Sequence, residues 1–151
     1  WYKKNLPLVK KNIHLFPGWF DESIPKYIKQ INTNNNPISY LHIDCDLYES
    51  TKIIFELLGK NIVKGTVIVF DEYFNFDGWE VGEFLAFKEF IESNKLKYKY
   101  ITYNHIHEQV ALKILWKILK TFYLILYKYF EVIKLDQIKP NPLEINFVKP
   151  A

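Results

Sequence analysis

Two nearly continuous apolar runs, ISYLHI at residues 38–43 and TVIVF at 66–70, flank a stretch whose apolar residues recur at helical spacing. Runs this short and this apolar are the pattern of central parallel strands covered on both faces. Between them, STKIIFELLGKNIV places Ile53, Ile54, Leu57 and Leu58 on one helix face, closed by Gly59 or by Lys64 and Gly65. The unit is strand, helix, strand.

The flanking segments extend it. NIHLF (12–16) is a short strand candidate ended by Pro17 and Gly18, and SIPKYIKQI (23–31) reads as a helix with Pro25 in its first turn. After the second apolar run come the loop FNFDGWE and a helix over about 81–93, with Phe84, Leu85, Phe87 and Ile91 turned inward. YKYITYN (98–104) and QVALKI (109–114) are separated only by HIHE, too short for a parallel crossover, so they should pair as an antiparallel hairpin. The expected fold is α/β: a three-layer open sheet, mostly parallel with a C-terminal antiparallel strand and helices on both faces.

Both apolar runs stop at acids, in HIDCDLYEST and in VFDEY. In an open α/β sheet, ligands bind beyond the carboxyl ends of the strands. Asp44 and Asp71 each take the first position past a strand, and parallel neighbours lie about 4.8 Å apart. Two like charges about 4 Å apart repel by roughly 4 kcal/mol at an effective dielectric near 20, so such a cluster calls for a proton, a Lys or a cation. Asp44, Asp71 and Glu72 offer an oxygen-only set suited to a magnesium-like ion. Asp46 followed by Glu49 matches a capping box for the next helix, which competes with direct chemistry for Asp46. His42 reads as a satisfied core residue, and His105 and His107 as members of an exposed hairpin loop.

The bulk composition narrows the function classes. The chain of 151 residues is 49% hydrophobic, enough for a core without disulfide or metal staples. Its one cysteine, Cys45, cannot form an internal bridge, which points to a reducing, cytoplasmic setting. All 20 basic residues are Lys, the net charge is only +3, and no basic stripe occurs in the first 110 residues. Without Arg, the forked donor of phosphate and base-edge recognition, nucleic acid is not an expected partner. The chain contains no Met and opens at Trp1 inside what reads as a continuing segment, so it is expected to be a piece of a longer polypeptide.

Taken together, NIHLFPGWFDESIP, LHIDCDLYEST, KGTVIVFDEYFNFDGWE and QVALKI resemble the back half of a class I S-adenosylmethionine-dependent methyltransferase, nearest to the macrocin O-methyltransferase (TylF-like) family of sugar-hydroxyl methylators. The likeness spans Leu6 to Ile114. It implies that residues 1–114 are the C-terminal half of a Rossmann-like domain whose N-terminal part is missing. It also implies that Gly18, Trp19 and Phe20 line the adenine pocket, that Asp44 serves the cofactor site, and that Asp44, Asp71 and Glu72 hold magnesium. The acceptor would be a sugar-like small molecule, with the loop from Tyr73 to Trp79 as part of its wall. Where some relatives carry a Lys or His suited to proton removal, this chain has Leu47, leaving Asp44, Asp46 and Tyr48 as candidate bases. The family's glycine-rich turn and ribose-binding acid have no counterpart: Gly18, Gly59, Gly65, Gly78 and Gly82 form no G-x-G-x-x-G. These residues alone are therefore expected not to hold the cofactor well.

Two rivals stay open at this point. A D-x-D pair also serves metal-dependent glycosyltransferases, although that leaves Asp71 and Glu72 without a role. A non-catalytic interaction module is the other, acting through residues 115–135, which read as an amphipathic helix. Its lysines with Trp116, Phe122, Tyr123, Tyr129 and Phe130 suit either packing on the domain or a second subunit, or a peripheral membrane contact. Residues 136–151, with Pro140, Pro142 and Pro150, read as an irregular tail.

Overall fold

The computed structural model describes residues 6–31 and 36–117. Helix α1 (Phe20–Ile31) leads into strand β1 (Ile38–Ile43), helix α2 (Tyr48–Leu58) and strand β2 (Ile62–Phe70). Helix α3 (Glu83–Asn94) and the hairpin of β3 (Leu96–Tyr103) and β4 (Val110–Lys117) follow. The sheet order is β1-β2-β4-β3, with β1 and β2 parallel and β4 antiparallel to both its neighbours. Three strands thus run one way and β4 the other, as the short HIHE connection requires.

The sheet's covered face explains the sequence periodicity. Ile43, Ile68, Phe70, Leu112 and Ile114 are at most 1% exposed. Above them α2 and α3 pack Ile54, Phe55, Leu58, Ala86, Phe87, Phe90 and Ile91 into one cluster, and α1 adds Ile24 beside α2. The Phe55 and Phe90 rings stack at 4.5 Å, and Phe87 meets Phe70 edge-on at 5.3 Å. On the opposite face the register aligns Tyr40 with Val67, and His42 with Val69 and Ala111. Tyr40 and His42 lie exposed there. Helices on both faces, as expected from the apolar runs, are not found among the described residues.

Several element boundaries differ from expectation for identifiable reasons. Residues 12–16 are not a strand: Ile13 and Leu15 are exposed and no ladder partner accepts them among the described residues. Helix α1 starts three residues earlier than expected, because the Trp19 carbonyl accepts the amides of Glu22 and Ser23 and Asp21 and Glu22 suit the first turn. Pro25 is therefore inside the helix. Helix α2 ends at Leu58 with Gly59 as its C-cap, and β2 begins at Ile62. Its ladder shifts register at Gly65, in the left-handed region at φ 101°, where Thr66 Oγ1 accepts the Val63 amide and donates to the Ile38 carbonyl. Inward positions of α3 are Ala86, Phe87, Phe90 and Ile91, with Phe84 and Leu85 only half-buried.

Strand β4 continues through Lys117, so the first three residues of the expected amphipathic helix are strand. The rest of that helix and the tail at 136–151 lie outside the described residues. Among the described residues no helix is long and apolar enough to cross a membrane.

Candidate active site

The parallel ladder carries one step beyond the strands, for the Asp71 amide donates to the Ile43 carbonyl at 3.0 Å. The loops after β1 and β2 therefore leave the sheet side by side, as strands about 4.8 Å apart must. The first loop then turns sharply: Asp46 adopts φ 61° and the Leu47 amide donates to the Cys45 carbonyl. Carboxylate oxygens of Asp44, Asp46 and Glu72 all come within 4.8 Å of one another.

Three acids this close are electrostatically unsettled. Asp44 and Asp46 are exposed, and water screens them. Glu72 is half-buried, and its Oε2 is enclosed with no hydrogen-bond partner among the described residues. Burial, and then the charges of Asp46, Glu83, Asp71 and Asp44, push the Glu72 carboxyl up to about 7. An enclosed oxygen without a donor, in an oxygen-only set with solvent on one side, fits a hard divalent cation.

This set differs from the one expected. Asp46, anticipated as a helix cap, belongs to the cluster, while the residue preceding α2 is Leu47, with no side-chain cap bond. The capping box fails because the left-handed turn at Asp46 carries its carboxylate to the rim instead of to α2. Asp71, anticipated as a ligand, lies next to the triad, but its carboxylate faces His42 Nε2 at 3.6 Å and accepts from Gln109 Nε2 at 3.5 Å. His42 is correspondingly exposed on the open sheet face rather than in the core, whereas His105 and His107 do sit exposed in the β3–β4 loop. The Tyr48 hydroxyl points along α2, donating to Glu89 at 2.7 Å and accepting from Lys52 at 3.0 Å. It is not brought to the acids.

At the N-terminus of α1, Gly18 takes φ 134° and Trp19 is 78% exposed, so the indole is uncovered. Phe20, the first residue of α1, packs partly against the core. In the loop after β2, Tyr73 is not a wall residue: it is 3% exposed and its hydroxyl shares a 2.9 Å hydrogen bond with that of Tyr100. Trp79 meets Phe84 edge-on at 4.8 Å.

The macrocin-O-methyltransferase (TylF) family model matches residues 3–106, which takes in the acidic rim and both strands that form it. The chain belongs to the macrocin O-methyltransferase family. No curated protein matches it. Among solved structures, it is similar to the apo form of CalS11, a TDP-rhamnose 3'-O-methyltransferase of calicheamicin biosynthesis. That similarity has 25% identity and a TM-score of 0.50, covering 64% of this chain and 38% of that one. A second CalS11 structure, described as a calicheamicin methyltransferase, matches at 24% identity and a TM-score of 0.48, covering 64% and 35%. The chain thus spans little more than a third of the length of these neighbours.

One residue of this macrocin O-methyltransferase family chain escaped the sequence reading. Glu83, the first residue of α3, is completely buried beneath the acids, and its Oε1 accepts the Cys45 amide at 3.3 Å. Burial pushes its carboxyl up to about 7, against the opposing pull of backbone amides at Cys45, Glu72 and Asp46. Cys45, whose Sγ lies 3.2 Å from Thr51 Oγ1, has its thiol pushed up to about 12, chiefly by burial. It is no nucleophile at neutral pH. Sequence offers one signal for Glu83, an acid at the start of a helix, and that pattern usually marks a solvated turn.

Proposed function

We propose that the protein is an S-adenosylmethionine-dependent O-methyltransferase acting on a hydroxyl of a sugar or similar small molecule, assisted by a divalent cation such as magnesium. The observation that carries this reading is the convergence of Asp44, Asp46 and Glu72 at the ends of adjacent parallel strands, in a chain of this family. We further read the described sheet as the C-terminal half of a three-layer Rossmann-like domain in the cytoplasm. The cofactor's glycine-rich turn and ribose acid would lie upstream of these residues.

S-adenosylmethionine supplies an electrophilic methyl on sulfur, and a bound cation supplies Lewis acidity and a template for the acceptor oxygen. The protein's own residues have three tasks. Asp44, Asp46 and Glu72 would hold the cation, each through a carboxylate oxygen. Asp44 and Asp46, exposed at the rim, are placed to take the hydroxyl proton from an acceptor arriving from solvent. Gly18, Trp19 and Phe20 would line the adenine pocket, with the uncovered Trp19 ring offering a stacking face. Fixing acceptor and donor in line is where most of the acceleration would arise, since an aligned pair saves roughly 7–11 kcal/mol of the barrier.

CalS11 is described as acting on TDP-rhamnose, so a nucleotide-activated deoxysugar is the first acceptor to assay. In the full-length protein, calorimetric titration of S-adenosylmethionine with and without magnesium, alongside methyl-transfer assays, tests the proposal. Substituting Asp44→Asn should cut methyl transfer by at least a hundredfold and abolish the magnesium dependence. Methyl transfer by the wild type that is indifferent to chelator would defeat the metal-assisted part, and absence of S-adenosylmethionine binding would defeat the whole.

A further inference from the structure

We propose that Glu83 is a positioning residue, fastening the acid-bearing loop after β1 to the start of α3 and thereby setting where Asp44 and Asp46 stand relative to Glu72. That loop emerges from β1, whereas Glu83 begins α3, so a single side chain ties two elements 38 residues apart in sequence. Its consequence for cation binding rests on the metal-assisted reading above; the tie itself does not.

The geometry is that of a buried acceptor built for a particular loop. Glu83 is 0% exposed, an unusual state for a carboxyl unless neighbouring donors offset the loss of water. Its Oε1 accepts the backbone amide of Cys45 at 3.3 Å and the Cys45 thiol at 3.6 Å. Cys45 lies between Asp44 and Asp46, so this bond holds the centre of the first loop. The Glu83 Oε2 is enclosed with no hydrogen-bond partner among the described residues, so the tie runs through Oε1 and Cys45. The positive end of α3 adds to the attraction, because Glu83 is the helix's first residue.

Packing keeps the anchor close. A Cβ built on Gly82 would meet the Asp46 carbonyl oxygen at 3.7 Å, so α3 begins in van der Waals contact with the acidic loop. The Cys45 Sγ also lies 3.2 Å from Thr51 Oγ1, and Thr51 is fully buried in the first turns of α2. An apolar residue at position 83 would fill the volume, yet leave the half-buried Cys45 amide without this acceptor. The loop would then relax, and three mutually repelling carboxylates would spread apart.

The reach of the side chain and its acceptor oxygen are what matter in this account, which separates two variants. Glu83→Gln keeps both, whereas Glu83→Asp keeps the charge and shortens the reach by one methylene. In full-length, metal-free protein, hydrogen–deuterium exchange of residues 44–48 should quicken at least tenfold in Glu83→Asp. It should stay within about threefold of wild type in Glu83→Gln, with β3 and β4 unchanged in both. Calorimetric binding of manganese, used as the probe cation, should weaken at least tenfold in Glu83→Asp and little in Glu83→Gln.

Wild-type exchange in a folded Glu83→Asp, or loss of protection in a folded Glu83→Gln, would overturn the positioning role. If Glu83→Asp does not fold, Glu83→Gln decides alone: retained protection and manganese affinity support the tie, and their loss refutes it. Should wild type bind no manganese at all, the metal reading fails while the exchange data still judge Glu83.

Discussion

The acidic rim and the aromatic layer beneath it meet at one peptide bond, between Glu72 and Tyr73, and they are organised in opposite ways. In the layer, Phe55, Phe70, Tyr73, Phe87, Phe90 and Tyr98 touch one another edge-on, tilted or stacked, and the Tyr73 hydroxyl finds that of Tyr100. At the rim, like charges crowd together and an enclosed oxygen has no donor among the described residues. Stability is concentrated in the first region and opposed in the second. A scaffold that already holds its core can carry an arrangement that is unfavourable until a ligand arrives.

The sharpest way to break this contrast is to damage the layer. Phe87 is fully buried and contacts Phe55, Phe70, Tyr73 and Tyr98. Phe87→Ala should cost about 3–5 kcal/mol, read by denaturant unfolding, enough to unfold a domain of ordinary stability. Gly59→Ala should come next. A Cβ there would meet the Phe90 ring at 2.8 Å, and that ring, stacked on Phe55, cannot retreat freely. Overpacking of this kind costs about 1–3 kcal/mol.

Damage to the rim should have the opposite sign. Glu72 and Glu83 carry folded-state carboxyls raised to about 7, from ordinary values of 4.5. Raised acids favour the folded state most when protonated. Their contribution is therefore complete below about pH 4.5 and disappears as pH climbs through 7, in protein free of metal. Glu72→Gln should accordingly raise the thermal midpoint of metal-free protein at pH 8 by a few degrees, and flatten its decline between pH 5 and 8. Added magnesium should recover stability at pH 8 in wild type and fail to do so in Glu72→Gln. A variant that melts earlier than wild type at pH 8 would show that the rim is not a strained site.

What could be read from the sequence follows the same division. The layer and the sheet were legible because hydrophobic periodicity records burial directly: β1 occupies the expected residues 38–43, and the hairpin follows from its short loop. Residues 12–16 carry a strand's composition, but a strand needs a partner, and composition does not specify one. The rim was legible only as a neighbourhood. Which of Asp44, Asp46, Asp71 and Glu72 converge depends on one backbone angle at Asp46 and on competition from His42 and Gln109 for Asp71. Glu83 lies 38 residues from its partner Cys45, and no local pattern carries that information.

Tyr48 gives the smallest expected effect and the finest test of where the rim ends. It begins α2, close in sequence to Asp44 and Asp46, and proximity made it a candidate base. Its hydroxyl instead serves the solvent side of α2, between Glu89 and Lys52, which themselves form an exposed ion pair at 3.8 Å. Exposed pairs of this kind contribute little, being screened by water and costly in side-chain freedom. Tyr48→Phe should therefore move the thermal midpoint by no more than about 2 °C and leave methyl transfer within about twofold of wild type. A hundredfold loss of turnover at unchanged stability would extend the active site onto α2 and return Tyr48 to the catalytic set; a null result confines the chemistry to the strand ends.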